Sequence, residues 1–87
     1  MAPIRTIEEF YAAAGQLIDA WCEERRLGPL SMLLPAYLDP NNLTDGWHGK
    51  YAALKNLRAF CRDGLSDAEL ETVNELIRFA ERIVYRD

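Results

Sequence analysis

Histidine occurs once in this chain, at His48, and cysteine only twice, at Cys22 and Cys61. So thin a supply of soft ligands excludes a zinc finger, and two thiols cannot build a disulfide framework. Both cysteines fall on the apolar faces of predicted helices, which predicts two buried free thiols. A bridge between them stays open, because those helices could touch there. No apolar run approaches the ~20 residues that cross a bilayer. Met1-Ala2-Pro3-Ile4-Arg5 lacks the apolar segment and cleavage site of a signal peptide. The expectation is a cytoplasmic protein without membrane contact. An excess of positive charge is missing too: a net charge of −4 offers phosphates no general attraction, so nucleic acid is not an expected partner. No phosphate loop, calcium loop, dinucleotide fingerprint or nucleophile motif occurs, which predicts no enzyme, no cofactor and no metal.

What is present is the composition of a folded protein. Apolar residues make up 49% and charged residues 28% of 87 residues, enough for one helical domain over 1–87 around a single core. Apolar positions recur at Ile7, Phe10, Tyr11, Ala14, Leu17, Ile18, Trp21 and Cys22, the i, i+3, i+4 spacing of one helix face. Thr6 with Glu9 forms a capping box before it, the carboxylate reaching back to the Thr6 amide. Gly28 is placed to supply a left-handed stop, with Pro29 behind it. A second stretch with the same period runs through Trp47, Tyr51, Leu54, Leu57 and Cys61, with Ala53 and Phe60 widening its apolar face. Thr44 is its expected cap. A third starts at Leu65-Ser66-Asp67-Ala68-Glu69-Leu70, where Ser66 and Glu69 make a capping box and Leu65 and Leu70 a hydrophobic staple.

The segment between the first two, Pro29 to Leu38, predicts a short helix over about 29–34 that Pro35 ends, followed by a turn at Asp39-Pro40-Asn41-Asn42. The fold class is therefore all-α: a small bundle of three long amphipathic helices (about 7–27, 45–62 and 67–85) and one short one, up-and-down where the loops are short. In the last helix, apolar residues from Leu70 to Val84 cover about half the circumference, more than the roughly 100° an ordinary surface helix buries. That surplus predicts contact with neighbours on two sides.

Surplus apolar surface points to binding. Leu76, Phe79 and Ile83 on the last helix, with Tyr37, are the expected contacts for a protein partner or for a second copy in a homodimer. Gly46 and Gly49, each costing up to ~1 kcal/mol in a helix, raise anion binding at that helix start with Thr44, His48 and Lys50 at its rim. A frayed start or close packing explains the same glycines. The row Arg78, Arg82, Arg86 reads as a solvated face with local ion pairs. The leading reading is thus a small non-enzymatic interaction or regulatory domain. One alternative is an acidic inhibitor or immunity-type protein, with Glu23, Glu24, Asp39, Asp45 and Asp63 converging on a basic toxin or nuclease. Another is a bundle that binds a small apolar or anionic ligand in a cavity beside Trp21 and Trp47.

Overall fold

The computed structural model describes residues 3–39 and 44–85; the expected turn at 40–42, the Thr44 side chain and Arg86 lie outside the described residues. The described residues form four α-helices and no strand: α1 (Ile7–Glu23), α2 (Leu27–Leu38), α3 (Thr44–Cys61) and α4 (Asp67–Val84), with a 3-10 turn at Arg62–Gly64. Each helix packs antiparallel on its neighbour in sequence, and α4 returns to α1, closing an up-and-down bundle. The ties show the closure. The Trp21 indole donates to Glu69 at one end of the α1–α4 seam, and the Arg82 guanidinium donates to the Ile4 carbonyl at the other.

Local chemistry sets the starts. The Thr6 hydroxyl accepts from the Glu9 amide at 3.0 Å, while the Glu9 carboxylate accepts from the Arg5 amide and not from that of Thr6, so the expected box is shifted by one residue. At α4 both halves of the capping box form, Glu69 accepting from the Ser66 amide at 2.9 Å and Ser66 Oγ from the Glu69 amide.

The end of α1 differs from expectation. It stops at Glu23 and not near 27, because Arg25 adopts the left-handed conformation (φ 56°) expected of Gly28. The Arg25 amide then reaches the Cys22 carbonyl and the Arg26 amide reaches that of Trp21, the two bonds of a Schellman stop. A side chain at positive φ costs on the order of 1 kcal/mol that glycine avoids. Arg25→Gly is therefore expected to stabilise the fold by about 1 kcal/mol, read as a higher midpoint in urea; an unchanged or lower midpoint refutes it.

The earlier stop frees Leu27 to begin α2, which runs twelve residues to Leu38 and not six over 29–34. Pro29 falls within its first turn, where a missing amide leaves nothing unsatisfied. Pro35 sits inside the helix on the exposed side, where the Ser31 carbonyl it leaves unbonded can meet water. Packing of Leu33 and Tyr37 against the core outweighs the local cost.

The centre is aromatic. Phe10, Trp47 and Phe79 meet with ring centroids 4.9–5.7 Å apart, mostly edge to face. Above it, one ionic knot fastens α1 to α4. Arg26 donates to both oxygens of Glu69 at 2.8 Å, to Glu24, and to the Gly64 carbonyl; the fully buried Trp21 indole donates to Glu69 at 2.7 Å. Partial burial pulls the Glu69 pKa up. The Arg26 hydrogen bonds, the Ser66 amide, the Trp21 indole and the Arg26 charge oppose this and bring it down to about 2.

Candidate interaction surface

The half-circumference of α4 is spent inside the chain. Leu76 is fully buried and Phe79 is 6% exposed, because α4 meets α3 on one side and α1 on the other. Neither is available to a partner, which corrects the expectation that they form a docking face. Ile83 is half-buried at the rim of an open groove with Arg5, Ile7 and Arg82. Tyr37 is half-buried too. Its ring lies against Tyr11, and its hydroxyl sits 3.2 Å from where a Cβ on Gly15 would stand. These four residues do not form one surface.

At the start of α3 the candidate anion residues part company. Gly46 and Lys50 turn inward, four residues apart on the buried ridge that continues through Leu54 and Leu57, whereas His48 and Gly49 face solvent. The Lys50 ammonium donates to the Asp39 carbonyl at 3.4 Å and lies over the Trp47 ring. The acidic set divides as well. Glu23, Glu24 and Asp63 lie at the end of the bundle where α1 meets the start of α4, and Asp39 and Asp45 at the opposite end. Arg78 pairs with Glu75, and Arg82 is held on the Ile4 carbonyl and over Phe79.

The crevice between α1, α2 and α3, lined by Phe10, Leu33, Tyr37 and Lys50 among others, has no room for a water molecule, so it offers no ligand cavity. Both cysteines are free thiols. Cys61 is half-buried with its thiol 3.7 Å from the Met32 sulfur, but Cys22 is exposed, on the edge of the α1 face and not within it as expected. Among the described residues no three acidic, histidine or cysteine groups gather as a metal site.

What the fold leaves outward is α2. Its twelve residues carry no charge and only two hydroxyls, those of Ser31 and Tyr37, a sequence apolar all round, which in a small protein implies cover on every side. Yet Leu33 alone is fully buried; Leu30, Met32, Leu34 and Tyr37 are half-buried against the core, and the outer stripe has no cover. Leu27 and Leu38 are 69% and 66% exposed, with Ser31 and Pro35 between them on the same outward stripe. The adjoining stripe of α3 continues the surface. Positions 49, 52, 53, 56, 59 and 60, which are Gly49, Ala52, Ala53, Asn56, Ala59 and Phe60, are exposed or half-buried and none is charged. Phe60 is 78% exposed, so it does not widen the core face as its spacing suggested; it lies at the outer edge of α3 beside α2.

The result is an uncharged slab two helices wide on a molecule of net charge −4. Acidic Asp19 and Glu23 edge it on α1, and Lys55, stacked on Tyr51, on the far side of α3. The apolar segment 30–38 is expected from sequence alone to bind, but Leu27 and Phe60 escaped the sequence reading because helical periodicity marks which residues can be buried, not which face lacks a neighbour. The signal that could have found them is the absence of charge along α2. Comparison with known protein families, with curated proteins and with solved structures returns no match for this chain.

Proposed function

We propose that this chain is a non-enzymatic interaction domain of the cytoplasm that engages another protein surface through the outer face of α2 and the adjoining stripe of α3. The observation that carries the reading is the outer stripe shared by α2 and α3, where Leu27, Leu38 and Phe60 are 69%, 66% and 78% exposed on a face without charge. Exposed leucine and phenylalanine at this density mark docking surfaces, since a scattered exposed apolar residue is ordinary but a continuous uncharged face is not. Leu27, Leu38 and Phe60 are the anchors, and the small residues between them let a helix approach closely.

The test is a photoreactive amino acid placed in cells at Ser31 or Leu38, and at Gln16 on the outer side of α1 as control. A discrete crosslinked product is expected from Ser31 and Leu38, lost when Leu27→Glu is added and absent from Gln16. No product from either α2 position, or the same product from Gln16, would overturn the assignment.

A further inference from the structure

We infer that the occupant of the α2–α3 face is a second copy of this chain, packed about a two-fold axis parallel to the helices; this rests on the docking face proposed above. Two features of the face, register and charge, point to self-pairing, and a third, size, sets its strength. The Lys50–Asp39 and Cys61–Met32 contacts set α2 against α3 so that Phe60 stands level with Ser31 and Leu38 with Ala53, within about one turn. A two-fold along the helices lays α2 of one copy over α3 of the other at the same level. Phe60 then enters the space beside Gly28 and Ser31 of the second copy, and Leu38 the space beside Ala52 and Ala53 of the second copy. Each large side chain meets small ones, twice over, which is the complementarity an isologous interface requires.

The second feature is charge. Two molecules of net charge −4 repel through most orientations, and the middle of this face, Leu27 to Leu38 on α2 and the stripe from Gly49 to Phe60 on α3, carries no charge, Asp45 lying at its end. The third is size. Helices about 18 Å long, side by side over about 20 Å, present a projected area on the order of 350 Å², with protruding side chains adding to it. That lies below the ~800 Å² per partner of a stable interface, so the dimer forms and dissociates with concentration.

Light scattering and sedimentation from about 1 μM to about 1 mM test it, the range in which such a face pairs. The mass is expected to rise from 10.0 kDa toward twice that value. Added salt is expected to tighten the dimer by screening the repulsion of like net charges; association with a foreign basic protein would weaken instead. Phe60→Glu and Leu38→Glu each weaken pairing about thirtyfold or more. Ser31→Arg, at an exposed polar position, does the same without removing an apolar side chain. All three variants keep the helical circular dichroism of the parent, since these residues lie outside the core. A constant mass of 10.0 kDa over the whole range overturns the inference, as does a dimer indifferent to all three substitutions. The two proposals fail separately: a crosslink from Ser31 to a different protein on a chain that stays monomeric ends self-pairing and leaves the docking face standing.

Discussion

Phe79→Ala is expected to destabilise the protein by about 3–5 kcal/mol, the cost of emptying an aromatic site in a close-packed interior. Phe79 lies within 5.7 Å, centroid to centroid, of both Phe10 and Trp47, and its outer edge is covered by the Arg82 guanidinium. Three helices meet at this ring, so truncation leaves a hole that no single element can close. A domain of this size has total stability of roughly 5–15 kcal/mol, so the variant should unfold at much lower urea or melt near ambient temperature. The same experiment separates a core role from a surface role. Were Phe79 a partner contact, alanine would leave the isolated chain's stability within about 0.5 kcal/mol of the parent, as ordinary surface substitutions do.

Glu69→Ala should cost roughly 3 kcal/mol, corresponding to a fall in melting temperature of about 15 °C. The loss combines the helix cap at Ser66 with the stranding of two donors, the fully buried Trp21 indole and the Arg26 guanidinium, which is 25% exposed. Glu69→Gln should cost less, because an amide oxygen can still accept from Trp21. If Arg26 matters chiefly through Glu69, then Arg26→Ala in the Glu69→Ala background adds almost nothing; additive losses would break the coupling.

Acid provides an independent check. Folding lowers the Glu69 pKa from 4.5 to about 2, so its contribution to stability is fully present above pH 4.5 and disappears as pH falls through 2. That difference sets an upper bound of roughly 3 kcal/mol, which solvent screening of the partly exposed pair reduces. The parent should lose stability steeply between those values, and Glu69→Gln should lose correspondingly less over the same interval. Parallel pH profiles for the two proteins would exclude the carboxylate as the titrating group.

The helical class and the starts of α1 and α4 could be read from spacing and caps, and the start of α3 to within a residue from spacing, because those signals are local. Thr6, Ser66 and Glu69 act within four residues of one another, and an amphipathic stripe states its own period. What could not be read depended on tertiary packing. The stop at Arg25 looks unfavourable locally and is held in place because it delivers Arg26 to Glu69, 43 residues away. Pro35 is a helix breaker by rule, yet α2 continues because the proline faces outward. Phe79 and Phe60 show the same limit from opposite sides. Both are aromatic residues on amphipathic helices, and only the position of neighbouring helices buries one and exposes the other.

The α1–α4 seam is built from groups far apart along the chain, 48 residues for Trp21 and Glu69 and 78 for Ile4 and Arg82. The other three seams join helices that follow one another, whose short loops close on far faster timescales. Adjacent hairpins should therefore assemble early and the ring should shut last. A chain with Glu69 replaced would then reach its folding barrier at nearly the parent's speed but escape from the native state sooner, so the knot acts as a latch on lifetime.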